Sequence, residues 1–238
     1  MATLFLHLDA PMQSWGTRSH FASRDTATEP TKSGLVGLLG AALGVARDNT
    51  QAIATLAALP MGIRVEREGT IEEDFHTVQN VPNTEGKKHR GVVTHRYYLA
   101  DAVFLAAING PKEELQAIHR ALRHPRWPLF LGRKAFPPGR PVVTPSNNTA
   151  HPPITDQPLE EALHHHPWLE TDPTTRQRAE AGEPRWLRAV IDTDPAHPQA
   201  EIRHDHPISF QRGNRQHKTR TVRTVHIPLA PQLLTIRP

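Results

Sequence analysis

Gln13-Ser14-Trp15-Gly16 puts an amide, a hydroxyl, an indole and a glycine in succession just after Pro11. Gln13 and Ser14 can each donate and accept hydrogen bonds, Trp15 offers a flat apolar face, and Gly16 lets the backbone approach a neighbour closely. Such a set fits a ligand-contacting turn. It fits equally a loop whose Trp15 folds back over the core, and both readings are open from the residues alone. A second set is cationic: Lys87, Lys88, His89 and Arg90 crowd a Gly- and Asn-containing stretch, with Arg96 soon after. A third is Lys32-Ser33, which opens an apolar run where a helix N-terminus can receive phosphate.

Bond-breaking chemistry is harder to find. The chain has 16 His, but His164-His165-His166 sit on consecutive positions of an expected helix, about 100° apart, and cannot converge on one ion; a solvated helix end is the expectation. There is no H-E-x-x-H, no Cys for a thiolate site, no G-x-S-x-G elbow and no signature carboxylate pair. His20, His76, His89 and His95 lie in or near the basic stretches, where a general acid/base for RNA cleavage could sit; phosphate contact or solvent exposure is the simpler role. No cofactor is implied. The basic side is 22 Arg against 6 Lys, at a net charge of +4. Guanidinium groups fork onto phosphates and stack on bases, which favours a nucleic-acid partner, although abundant Ala and Pro show that composition alone does not decide. The absence of Cys suits a reducing compartment, no signal peptide opens the sequence, and the longest apolar stretch (35–46) is far short of the ~20 residues of a membrane span. A soluble, cytoplasmic protein with no membrane partner is expected.

The elements that must position these residues follow from periodicity. Leu4, Leu6 and Leu8 alternate with Phe5, His7 and Asp9, so a strand is expected that stops near Pro11. Thr31 or Ser33 caps a helix whose Gly34, Gly37, Gly40 and Gly44 imply very close packing on a sheet or a ligand. A short helix over 51–59 follows, then a strand over 61–68 in which Ile63 and Val65 alternate with Arg64 and Arg67. A third strand starts at 71–81, and 96–108 reads as one strand running into the core. Between them the basic stretch forms a protruding hairpin "thumb" at about 78–97, too exposed to be stable without a partner. Residues 112–123 make an amphipathic helix, and Val142-Val143 supplies the last strand of a βαββαβ order. The fold class is therefore α+β, ferredoxin-like or RRM-like, over residues 1–145. Only 5 of 23 prolines precede residue 125, so 146–238 is expected to be a Pro-rich, partly β extension. In it, a helix spans 159–166, a strand 186–192, and Thr219 to His226 forms a basic edge strand.

Four stretches carry a resemblance: L-D-A-P-M-Q-S-W-G (8–16), P-T-K-S-G-L-V-G-L-L-G-A-A-L-G (30–44), R-Y-Y-L-A-D-A-V-F (96–104) and F-L-G-R-K-A-F-P (130–137). In this order they resemble the fifth family of CRISPR-associated proteins, and within it the subtype I-E branch; Phe136 departs from the smaller residue or Cys expected before the Pro. The resemblance implies a repeat-associated RNA-binding fold and a non-catalytic subunit of the Cascade surveillance complex. That subunit would grip the 5′ handle of the CRISPR RNA and cap one end of the backbone. It would lie beside the backbone subunit CasC, with the large subunit CasA nearby and target DNA met indirectly through the complex. The rival is a metal-independent endoribonuclease, as in the related subtype I-C. On this view Gln13 and Ser14 bond base edges or phosphate and Trp15 stacks, at ~1–3 kcal/mol per base. Arg18, Lys32, Ser33, Arg133 and Lys134 contact phosphates over the sheet end, while Lys87, Lys88, His89, Arg90 and Arg96 carry the thumb's grip.

Overall fold

The computed structural model describes residues 1–17, 22–87, 89–148 and 151–234. In chain order these form β1 (Ala2–Asp9), β2 (Met12–Gln13), β3 (Ser23–Arg24), α1 (Lys32–Leu43), α2 (Thr50–Ala58), β4 (Met61–Arg67), β5 (Thr70–Pro82) and β6 (His89–Ala100). There follow β7 (Val103–Gly110), α3 (Lys112–Arg123), β8 (Ile154–Thr155), α4 (Leu159–His165), α5 (Pro173–Glu180), β9 (Trp186–Asp192), β10 (Glu201–Ser209) and β11 (Gln216–Pro228). No helix among the described residues is long and apolar enough to cross a membrane.

The main sheet has seven strands in the order β10-β11-β9-β4-β7-β1-β8, with antiparallel neighbours throughout. It is a mixed α/β fold built on an antiparallel sheet. Alternation in β1 separates two cores: Leu4, Leu6 and Leu8 pack with Leu35, Leu39, Ile53, Leu115 and Ile118 under α1, α2 and α3. On the other face Phe5 packs with Leu105, Leu163 and Trp168 beneath α4 and the segment after it. Both faces being covered, β4 is buried along nearly its whole length. Arg64, on the polar side of the alternation with Ile63 and Val65, is a buried plug. Its guanidinium pairs with Glu66 and donates to the carbonyls of Leu163, His166 (2.7 Å) and Pro167 (2.9 Å), so this buried charge is both paired and hydrogen-bonded.

Several expectations need correction. Residues 96–108 are two strands: Asp101 adopts a left-handed backbone (φ 56°) and donates its N–H to the Pro11 carbonyl at 3.0 Å, turning the chain from β6 into β7. β6 therefore leaves the main sheet and pairs with β5 from Thr70↔Ala100 to Pro82↔His89, a hairpin longer than the 78–97 expected. Val142-Val143 is not a strand; Val142 only accepts one bond from the His7 N–H, and Ile154–Thr155 pairs with β1 instead. The run 219–226 is no edge strand, since β11 lies between β10 and β9. His166 closes α4 not in solvent but buried, its ring 4.4 Å from that of Phe5. Because β9 pairs with β4, residues beyond 145 continue the sheet begun by β1.

Candidate nucleic-acid interface

Two short strands and one loop converge on the root of the β5–β6 hairpin. β2 pairs with the end of β6 (Met12↔Ala100, Gln13↔Leu99), which buries the turn that follows. Gln13 Nε2 donates to the carbonyls of Leu8 (3.0 Å) and Ala102 (2.7 Å), and its Oε1 receives the Trp15 indole N–H at 3.3 Å. Trp15 is 1% exposed and lies on α1, where a Cβ on Gly34 would come 2.7 Å from its Cε3. Ser14 Oγ donates to the Tyr97 carbonyl at 3.4 Å. Gln13, Ser14 and Trp15, expected to touch RNA directly, thus spend their polar atoms and their aromatic face internally. The turn is a shelf rather than a reading head.

The loop at 130–136 rests on that shelf. Ser14 N–H donates to the Leu131 carbonyl at 3.1 Å, and the loop closes on itself through Leu131 N–H to Phe136 O (2.8 Å) and Phe136 N–H to Arg133 O (2.9 Å). Gly132 has φ +92°, and any Cβ there would lie 1.6 Å from the Ser14 carbonyl oxygen, so only glycine fits. The closure aims Arg133 at the hairpin root. Its Nη2 donates to the carbonyls of Tyr97 (2.6 Å) and Arg24 (3.3 Å), and its guanidinium lies 5.6 Å from the Phe136 ring centroid. Phe136 packs against Tyr98, 5.8 Å between centroids, so the residue that departed from the family pattern is part of the loop's footing. Lys134, next along, is exposed.

β3 completes the cluster. It pairs in parallel with β6, Ser23↔His95 and Arg24↔Arg96, so two arginines stand in register side by side. Like charges in such a position repel. Asp74 faces Arg96 from β5, and Arg96 Nε also donates to Thr94 Oγ1 at 3.1 Å. Burial, then the charge of Arg96 and of Arg24, pushes the Arg133 guanidinium below its ordinary pKa, with Asp74 and Asp25 opposing. Among the described residues, three arginines thus gather here with two carboxylates, Asp74 and Asp25, near them. Arg24 was absent from the sequence-based set of contacts, since a two-residue strand gives no periodic signal.

The remaining candidates are elsewhere. Lys32, expected to hold phosphate, is buried and its Nζ bonds Asp192 Oδ2 at 2.7 Å. Asp205 accepts from the Lys32 backbone N–H at 2.7 Å and from Arg220 Nε and Nη2 at 2.7 and 2.9 Å; Arg220 also pairs with Asp192. The start of α1 is thus already occupied by the protein's own carboxylates. Ser33 Oγ lies 3.4 Å from Thr31 Oγ1, the cap of α1. Lys87, His89 and Arg90 are exposed at the hairpin tip, His89 Nδ1 bonding the Asn80 carbonyl at 3.1 Å. Arg90 and Arg96 are six strand positions apart, about 20 Å, so tip and root are distinct contact regions. Arg18 and Lys88 lie outside the described residues.

Among the histidines considered for cleavage, His95 pairs with Glu73 and stands edge-on to the exposed Phe75. No group of three or more His, Asp or Glu among the described residues is placed to hold a metal ion. The most perturbed histidines are internal. Burial, then Arg140, His151 and Arg64, lowers His7 to about 3, and burial followed by Arg64 and His7 holds His166 far below its ordinary value. Both line a cavity of about 210 Å³ together with Pro141, Val143, Pro145 and His151.

Compared with known proteins, residues 3–223 match the family described as CRISPR-associated protein (Cas_Cas5). The CRISPR system Cascade subunit CasD of Escherichia coli K12 is 33% identical over 153 residues, 58% of this chain and 68% of that one. A solved structure described as a Cas protein superposes with TM-score 0.70 at 35% identity, covering 95% of each chain. A chain of a CRISPR RNA-guided surveillance complex gives TM-score 0.74 at 30% identity, over 95% of this chain and 91% of that one.

Proposed function

Since the chain belongs to the Cas5 family of CRISPR-associated proteins, we propose that it is a non-catalytic, RNA-binding subunit of a type I-E Cascade surveillance complex in antiviral defence. It grips the 5′ handle of the CRISPR RNA and caps one end of the backbone. The observation that carries this reading is the register pairing of Arg24 with Arg96 at the hairpin root, with Arg133 held between them by the Gly132 loop. Three guanidinium groups so placed need an anion, and a backbone phosphate of single-stranded RNA supplies one.

The order β8-β1-β7-β4, with helices in the β1–β4 and β7–β8 connections, supports the ferredoxin-like assignment. The hairpin supports the thumb. Its tip residues Lys87, His89 and Arg90 reach the nucleic acid about 20 Å from the root, where handle meets spacer. Its face bearing Ile71 and Phe75, the latter 63% exposed, lies against the neighbouring subunit CasC, with CasA docked nearby and target DNA engaged through the complex. The similarity to a Cascade subunit and to a chain of a surveillance complex supports membership of such a complex.

Gel-shift titration of the purified chain with handle-bearing RNA, and with the same RNA lacking the handle, tests the reading. Tighter binding of the handle-bearing RNA with no shortening on a denaturing gel is expected. Equal affinity for both RNAs overturns handle recognition. A cleaved product lost on His89→Ala or His95→Ala makes the protein an endoribonuclease.

A further inference from the structure

The far end of the main sheet carries a second cationic surface. β10 and β11 are joined by residues 210–215; Arg212 and Arg215 are exposed there and Lys218 is exposed just inside β11. None of the three pairs with a carboxylate among the described residues. From His206 to Pro238 the sequence contains no Asp or Glu. The adjoining carboxylate, Asp205, is held by Arg220 and the Lys32 N–H and so does not neutralise the turn.

The turn is also built. Gln211 N–H donates to Ser209 Oγ (3.2 Å), Asn214 N–H to the Gln211 carbonyl (3.0 Å), and Gln216 Nε2 to Asn214 Oδ1 (2.8 Å). Phe210 N–H anchors its foot to the Arg47 carbonyl at 3.2 Å, after α1. Side chains on the two strands feel the field: burial, then His204 and Arg215, lowers His217, and burial, then Lys32 and Lys218, lowers His206.

What would such a tip hold? β10 is an edge strand, but its register shifts twice and Pro207 within it has no N–H to offer, which discourages addition of a further strand. Phe210 is half-buried and no other aromatic side chain lies between 201 and 218 besides histidine, so there is no broad stacking platform for unpaired bases. A duplex presents rows of phosphates and needs none. β10 is five strand positions from β1, about 24 Å, so this surface acts apart from the hairpin root. We propose that the β10–β11 tip grips the phosphodiester backbone of duplex nucleic acid through Arg212, Arg215 and Lys218, without reading sequence.

The test is a salt series of binding isotherms between the full chain and a labelled random-sequence DNA duplex of about 30 base pairs. Arg212→Gln, Arg215→Gln and Lys218→Gln combined should weaken duplex binding about tenfold and reduce the slope of log K against log salt by about 2.7, or 0.9 per lost contact. Handle-RNA affinity should stay unchanged. Each single variant, should the triple fail to fold, should lower the slope by about 0.9. Duplex binding that is absent in the unaltered chain, or unmoved in the variants, overturns the proposal. So does a parallel loss of handle RNA, which would make the tip part of the RNA site.

Discussion

Two groups of charges in this protein look alike in sequence and behave oppositely in space. At the start of α1, Lys32 and Arg220 are enclosed with Asp192 and Asp205 and satisfied within the chain. At the hairpin root, Arg24, Arg96 and Arg133 meet with only partial acidic compensation. The first group joins elements distant along the chain; the second is the one we propose to meet RNA. A basic residue is therefore informative about ligands only once its acidic neighbours are known, and Lys32 shows how a plausible phosphate contact becomes a structural tie.

The sharpest way to break this contrast is to remove a carboxylate from the enclosed group. Asp205→Ala leaves the first N–H of α1 without its acceptor and Arg220 with Asp192 alone, and should lower the unfolding free energy by about 3 kcal/mol in urea titrations. Gly132→Ala attacks the root through its footing. The added methyl clashes with the Ser14 carbonyl in a backbone region alanine avoids, so a loss of about 2–3 kcal/mol is expected, together with weaker handle-RNA binding as Arg133 is displaced.

Acidification probes the second core, where His7 and His166 sit beside Arg64. Their folded pKa values lie below the ordinary value near 6.5, so the unfolded chain takes up protons first. The stability they contribute is present above about pH 6.5 and is lost as pH falls toward about 3 for His7. By pH 5 the loss from His7 alone is about 2 kcal/mol, and His7→Gln should flatten unfolding free energy against pH by about 1.4 kcal/mol per unit over that window. The smallest effect on stability belongs to the root. Arg24→Ala with Arg96→Ala should change unfolding by no more than about 0.5 kcal/mol, yet lower the salt slope of handle-RNA binding by about 1.4, or 0.7 per phosphate contact on a single strand. A large stability loss there would erase the distinction between the two groups.

Local signals in the sequence carried the regular elements well: α3 spans Lys112–Arg123 and β9 spans Trp186–Asp192, as their periodicity predicted. What escaped depends on distant partners. The corner at Asp101 needs the Pro11 carbonyl, ninety residues earlier. Burial of Arg64 needs carbonyls near residue 165, and the fate of Lys32 is decided by Asp192 and Asp205. The arginines at the root were legible as basic residues, but not Arg24 as one of them. A two-residue parallel pairing leaves no pattern to read, and Gln13 gives no sign in sequence that its amide faces inward.

The tie between Lys32 and Asp192 spans 160 positions, and β4 finds a neighbour in β9 only after most of the polypeptide exists. While the chain is being synthesised, its opening half emerges with the Lys32 ammonium well before the carboxylate that encloses it. Folding to completion must wait for the last strands, because a chain ending before β9 lacks both the carboxylate that meets Lys32 and the strand that covers the outer edge of β4.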